Sequence, residues 1–383
     1  PDEAHGAIVR RTAAGALACL KSGFDQPDAI LISCDMQQCF DNTIPELALR
    51  HLQHAGFPPE WCAFLEWTWA HQQRWLQLGG ESESAPRAVR HSIPQGCPCA
   101  PIALVCLLTE ATRDVIRVTA VHGNAQHATF VDDRAAHHPQ QAMAFINAWR
   151  GWCDRLGLVE NASKLRIVCK NPLDKPRLLQ LGAPPGSLAA STRVLGFDFG
   201  EQDSLHPVST ERAQQACVVL TRLQCLPLPP VHREGLYRTR LVPLVSWSFW
   251  WQDVPTELGR RWTSQLRSVF NVKASASRDL WQLLCGHCTD LEVVFARDCL
   301  RWYGKAHVYW QRLGRSLADS RWTAHVAQIL RIRGFTSGPG RSWRHPSFGG
   351  FDWDCADLPR ALAGLCHFIR EQWRRQKFAG FLR

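Results

Sequence analysis

Two adjacent aspartates, Asp132 and Asp133, end the short run Ala128-Thr129-Phe130-Val131, and this pair limits the fold more than any other feature of the chain. The β-branched and aromatic content of the run predicts a strand, and the polar residues that follow predict a tight hairpin. Successive side chains of an extended chain point to opposite faces, but at a hairpin tip two carboxylates can crowd into one site. Like charges so close repel unless a cation neutralises them, and hard carboxylate oxygens suit Mg²⁺. An Asp-Asp turn is by itself most often a solvated loop, so any function must come from partners elsewhere in the sequence.

The chain can supply such partners. Its 383 residues are enough for two or three domains, and 45% hydrophobic with 20% charged residues describes ordinary globular material. Seventeen tryptophans predict large amphipathic contact surfaces. The longest apolar runs, Ile102–Leu108 and Leu241–Trp251, are too short to span a bilayer, and no signal pattern opens the chain. These features predict an intracellular protein, without choosing nucleus or cytoplasm. The start at Pro1 predicts a piece of a longer product with further domains. Sixteen irregularly spaced cysteines read as reduced thiols. The net charge of +10 is confined to the end: residues 1–300 hold 29 Lys+Arg and 29 Asp+Glu, whereas residues 301–383 hold 15 and 5. A basic segment with interleaved Trp and Phe suits phosphate contact and base stacking, or a solvated helix face.

Taken in order, residues 4–22 predict a helix. Ala29–Cys34 predicts a buried strand ending at Asp35, an acid where a strand opens. Pro45–His54 predicts a helix with Asp41, Asn42 or Thr43 as cap. Pro58–His71 predicts another, with Trp61, Phe64, Leu65 and Trp69 turned to the core. Arg74–Leu78 and Arg87–His91 predict strands around a polar loop. Ser92-Ile93-Pro94-Gln95-Gly96-Cys97-Pro98-Cys99-Ala100-Pro101 is a proline-stiffened loop feeding a helix from Ile102 to about Thr119. It suits either a rigid connector or a loop whose backbone N–H groups and Gln95 amide meet a flat or anionic ligand. A helix over 139–156 follows, then a polar turn from Gly157 with Lys164 at the start of a strand.

The order of these motifs resembles the reverse transcriptase family, particularly the enzymes of non-LTR retrotransposons. Asp35-x-x-x-x-Phe40-Asp41 is similar to the first palm motif, Ser92–Pro101 to Gly-x-Pro-Gln-Gly-x-Pro-x-Ser-Pro, and Phe130-Val131-Asp132-Asp133 to the aromatic-x-Asp-Asp hairpin. Gly157-Leu158-x-x-Asn161-x-x-Lys164 resembles the fourth motif and Val194-Leu195-Gly196 the fifth, while His5-Gly6 to Arg11-Thr12 resembles the element before the first. The resemblance implies an α+β fold: a right-hand polymerase palm with an antiparallel sheet and packed helices over residues 1–205, most of the fingers missing. A helical thumb over 206–300 and an α-rich, basic C-terminal extension over 301–383 would follow.

By resemblance, Asp35, Asp132 and Asp133 would hold Mg²⁺, with Mn²⁺ as a substitute, and the Met36 carbonyl would add an oxygen. Two such ions stabilise the attacking and leaving oxygens of an in-line phosphoryl transfer. Phe40 would exclude a ribose 2′-hydroxyl, Gln95 and Gly96 would line the nucleotide and template, and Lys164 would protonate departing pyrophosphate. The implied partners are an RNA template, a DNA primer and deoxynucleoside triphosphates. Ser92 stands where the family has Gly and Ala100 where it has Ser. The alternative is a repurposed polymerase fold that binds nucleic acid without extending it.

Past residue 205 the resemblance thins. Ser209–Leu226 and Val231–Trp251 predict helices around a Pro-rich break, with Arg222, Arg233, Arg238 and Arg240 placed for duplex phosphates or for solvent. Cys285, His287, Cys288, Cys299 and His307 allow a zinc reading, which one Cys-x-x-Cys pair among so many thiols supports weakly. Gly334–Asp354 reads as a loop or linker and Leu358–Arg383 as a basic helix.

Overall fold

A computed structural model gives the fold, and it describes residues 4–5, 13–75, 77–78, 81–82, 84–89, 91–120, 126–130, 133–137, 142–201, 207–247, 256–272, 277–312, 317, 321–355 and 357–382. The chain divides into two compact units, 1–195 with 199–202, and 196–198 with 203–383. The fold is mixed α+β, mostly helical with small sheets.

In the first unit, β1 (Ala4–His5) precedes α1 (Ala13–Phe24), so of the helix expected over 4–22 residues 4–5 are strand instead, residues 13–22 are helical, and residues 6–12 lie outside the described residues. Then come β2 (Ile30–Cys34), α2 (Cys39–Asn42), α3 (Pro45–His54) and α4 (Pro59–Ala70). Two short ladders follow: β3 (Gln73–Arg74) pairs with β6 (Arg87–Ala88), and β4 (Gln77–Leu78) with β5 (Glu81–Ser82). The 21-residue α5 (Ala100–Ala120) leads to β7 (Gln126–Phe130), β8 (Asp133–His137), α6 (Ala142–Leu156), β9 (Arg166–Cys169) and α7 (Asp174–Gln180). A hairpin of β10 (Ser191–Val194) and β11 (Phe197–Gly200) closes the unit. Its turn residues Leu195 and Gly196 both have positive φ, +50° and +76°, the geometry of a two-residue type I′ turn.

The main sheet has the order β1-β7-β8-β2-β9, antiparallel except for β1 against β7. Ile30, Ile32 and Cys34 of β2 pack into a core shared with α3, α5 and α6, while Leu31, fully buried too, lies on the opposite face, where α1 packs. Burial on both faces explains why β2 reads as a continuous apolar run rather than an alternating one. In α5 the buried set Ala103, Leu104, Leu107, Leu108, Ala111 and Val115 follows the helical period.

Two expectations for this unit change. Ile44 rather than Asp41, Asn42 or Thr43 is the N-cap of α3, because Cys39–Asn42 forms its own helical turn and Thr43 Oγ1 donates to the Cys39 carbonyl at 2.7 Å. On α4, Cys62, Leu65 and Trp69 form the buried stripe, and Trp61 and Phe64 are 55% and 53% exposed. Each of these lies one position, or about 100°, away from a buried residue, so they face away from the core.

The second unit contains α8 (Pro207–Cys225), α9 (Pro230–Leu236), a π turn (Tyr237–Leu241), α10 (Val242–Ser246), α11 (Thr256–Val269), α12 (Arg278–Cys285), α13 (Leu291–Arg312) and α14 (Arg321–Ile332). A small antiparallel sheet, β12 (Thr336–Ser337), β13 (Ser342–His345) and β14 (Gly349–Asp352), precedes the 25-residue α15 (Leu358–Leu382). Tyr237 is fully buried, accepting from Trp262 Nε1 at 3.1 Å and donating to the Cys288 carbonyl. Burial pushes its phenol well above the usual range. Arg233 donates to the carbonyls of Val269 and Leu226, 2.9 and 3.0 Å away, tying the Pro-rich break after α8 to the end of α11.

The expectation of a linker over 334–354 does not hold. Phe335 is buried against His345, Phe348, Phe351 and Phe368, and Trp343 and Trp353 are buried beside Phe351. The Gly and Pro residues form turns between strands whose aromatic side chains supply a core, so turn composition masked a folded element. In α15, Leu358, Leu362, Leu365, Ile369 and Trp373 form the buried stripe, leaving the basic residues on other faces. No described helix is long and apolar enough to cross a membrane.

Candidate active site

The site grows from the end of β2. Cys34 pairs with Arg134 of β8, and Ser33 with Arg166 of β9. Continued one step, the β2–β8 register sets Asp35 opposite Asp133; on the other side the β2–β9 ladder ends at Ser33–Arg166, and Asp35 meets the turn of residues 161–164. Across the β7–β8 ladder Phe130 pairs with Asp133. Val131 and Asp132 lie outside the described residues, so the expected role of Asp132 has no geometry, and Asp133 is located by its backbone.

On the β9 side the contact is direct. Lys164 Nζ lies 2.6 Å from Asp35 Oδ2, with the Asp35 side chain 18% exposed. The Asp35 carbonyl accepts the Asn161 N–H at 2.9 Å, and Gln37 donates to Val159 at 2.8 Å around the bridge Met36↔Glu160. This is the non-hydrogen-bonded kind of antiparallel pair, so the Met36 carbonyl points away from Glu160, toward the β8 side. Arg150 of α6 pins Glu160 at 2.7 Å, and the Lys164 N–H returns to the Asn161 carbonyl at 2.9 Å. The turn carrying Lys164 is thus held on two sides.

A second cluster fixes the proline loop to α2. The Ile93 N–H donates to the Phe40 carbonyl at 2.9 Å, and Ser92 Oγ reaches Asp41 Oδ1 at 3.3 Å. Gln72 Nε2 donates to the carbonyls of Trp69 and Ser92, both at 2.9 Å. Ser92 is buried with φ of +158°, close to the region glycine favours, at the position where the family pattern has Gly. Gln95 and Gly96 are exposed at the loop tip, Gly96 with φ of +93°. Phe40 is partly buried against the core. Reading by motif missed Gln72 and the pair Arg150–Glu160, because no local pattern marks a side chain that supports another.

The carboxylate donors suit a hard divalent cation: Asp35 already draws an ammonium to its oxygen, as an anionic oxygen facing an open site does. Elsewhere the Cys/His set does not assemble. Among the described residues no three His, Cys, Asp or Glu side chains are grouped to hold a metal. Cys288 Sγ turns to the Cys285 carbonyl, His287 to Arg297, and His307 stacks on Tyr303.

Residues 20–199 match the family model described as reverse transcriptase (RNA-dependent DNA polymerase). No curated protein matches the chain. Among solved structures, the chain is similar to telomerase from Candida albicans in complex with the TWJ fragment of telomeric RNA, at 10% identity and a TM-score of 0.33. The match covers 79% of this chain and 49% of that one, so this chain spans about half its length.

Proposed function

We propose, from the match of residues 20–199 to the reverse transcriptase family model, that the chain is an RNA-directed DNA polymerase of a non-LTR type retroelement. It would add deoxynucleotides to a DNA primer on an RNA template. The observation that carries the reading is the meeting of Asp35, the first residue of the Asp133 strand and Lys164 at one end of the main sheet. In this reading residues 1–205 act as palm with a remnant of fingers, 206–300 as thumb and 301–383 as a basic extension.

Asp35, Asp132 and Asp133 would hold Mg²⁺, or Mn²⁺ in its place, and the Met36 carbonyl faces the same side. Bound there, the metal supplies a charge that stabilises the attacking and departing oxygens. The chain's own groups do the rest. Phe40, its carbonyl tied to Ile93, narrows the space beside the sugar and excludes a 2′-hydroxyl. Gln95 and Gly96 present an exposed polar edge to the nucleotide and template. As the primer 3′-hydroxyl gives up its proton to solvent, its oxygen bonds to the α-phosphorus and the bond to pyrophosphate breaks, the Lys164 ammonium would give its proton to the leaving oxygen.

The test is extension of a DNA primer on an RNA template with Mg²⁺ and deoxynucleotides. Wild type should extend, and Asp35→Asn and Asp132→Asn should each lose at least a hundredfold. If wild type and Asp132→Asn are equally inactive while both bind the hybrid, the chain is a binding module and not a polymerase.

A further inference from the structure

Arginines from three elements gather around His287 in the second unit. Arg297 of α13 faces the imidazole through Nη1 and Nε2, and Trp373 of α15 lies edge-on to it at 6.5 Å. Arg370 and Arg374 flank Trp373 on the same helix. Arg238 of the π turn donates to the Cys285 carbonyl at 3.3 Å and would come within 3.5 Å of a Cβ on Gly286, the residue before His287. Burial and these four guanidiniums, Arg297 foremost among them, hold the imidazole neutral down to about pH 4.

The charges are only partly matched. Glu234 takes Arg238, and Glu371 takes Arg374 at 2.7 Å and approaches Arg370 at 3.6 Å. Asp290 accepts from Trp373 and the partly buried Asp298 from Ser246. Arg297 meets a neutral ring through Nη1, with the Asp298 carboxylate also within reach of its charge. Its Nε is buried with no hydrogen-bond partner, whereas the Nε of Arg370, also without a hydrogen bond, is the atom that Glu371 approaches at 3.6 Å, and Arg370 Nη2 lies 2.8 Å from His367 Nδ1. Buried donors left unpaired call for a missing acceptor, and guanidinium forks are shaped for the oxygens of phosphate. An anion can enter, because the side chains of Arg238 and Arg374 are 51% and 53% exposed.

We propose that Arg238, Arg297, Arg370 and Arg374 form a phosphate-binding site over the His287–Trp373 floor, and that the phosphate belongs to a nucleic-acid backbone. The choice of ligand rests on the polymerase reading; the site itself does not.

The test uses the full chain, with Arg238→Gln and Arg374→Gln as exposed substitutions and the neighbouring Arg375→Gln as control. A labelled RNA–DNA hybrid is titrated across salt concentrations, and inorganic phosphate is titrated against the His287 imidazole NMR signal. Each site variant should weaken hybrid binding about three- to tenfold, and the double variant should reduce the salt slope by about 1 to 2. Arg375→Gln should change affinity less than twofold. Phosphate should move the His287 signal in wild type and not in the double variant. An unchanged slope with an unmoved His287 signal overturns the site. Equal losses in Arg374→Gln and Arg375→Gln overturn it in favour of a diffuse basic surface. A moved signal with unchanged hybrid affinity keeps the site and overturns the nucleic-acid source, leaving a free anion. Primer extension is scored separately, so a chain that binds hybrid through Arg374 but never extends it defeats the polymerase reading alone.

Discussion

Lys164 Nζ and Asp35 Oδ2 are 2.6 Å apart although the residues stand 129 positions apart in sequence. An ammonium occupies one oxygen of the carboxylate proposed to hold the metal, so the two cations would compete. Replacing Lys164 with Gln should lower the Mg²⁺ concentration for half-maximal primer extension severalfold. Its maximal rate should fall by about a hundredfold or more if the ammonium is the proton donor. Lys164 is 64% exposed, so stability should change by no more than about 1 kcal/mol. A normal rate with an unchanged Mg²⁺ requirement removes Lys164 from the site.

Ser92 holds a φ of +158° and a 3.3 Å hydrogen bond to Asp41. Ser92→Gly relaxes the backbone while losing a long hydrogen bond, so the two effects should offset to within about 1 kcal/mol. Ser92→Val adds branching to a strained, buried position and should destabilise by about 1–3 kcal/mol. Denaturant midpoints compare the two; a Val variant as stable as the Gly variant contradicts the strain.

His287 is held neutral to about pH 4 in the folded chain, below the ordinary histidine value of 6.5. The unfolded chain therefore binds the extra proton first as pH falls. The stability associated with neutral His287 is complete above about pH 6.5 and is lost progressively toward pH 4. His287→Asn should flatten the dependence of unfolding free energy on pH in that window, whatever its effect at pH 7. An equally steep profile in the variant assigns the acid loss to other groups.

Tyr237→Phe removes the hydroxyl that accepts from Trp262 and donates to the Cys288 carbonyl. Both partners are left in a buried setting, and the cost should be about 1–3 kcal/mol in denaturant unfolding of the chain. A neutral substitution would mean that water reaches this core.

Phe335 tests whether residues 336–352 are a linker or a sheet. Its ring lies 4.8–6.2 Å from those of His345, Phe348, Phe351 and Phe368. Phe335→Ala should cost about 3–5 kcal/mol and open this segment to limited proteolysis. Cleavage there in the wild type at the same rate would return the segment to a linker.

What the sequence determined by itself was local. The apolar run before Asp35, the prolines before α5, the apolar period of α5 and the basic end all follow from residue type and spacing, and the order of motifs carries the resemblance to the family whose model residues 20–199 match. Tertiary structure decided which surfaces and partners those elements meet. Trp61 and Phe64 look like core residues in sequence, yet the rotation of α4 that buries Cys62, Leu65 and Trp69 leaves them outside. The Gly- and Pro-rich stretch after 334 becomes a sheet because aromatic rings from α15 and its own strands close over Phe335. The joining of Lys164 to Asp35, of Ser92 to Asp41, and of Arg297 to His287 belongs to the same class. Propensity and periodicity act over a turn or a strand, whereas these contacts depend on ladder register and helix packing between distant segments, which no local pattern carries.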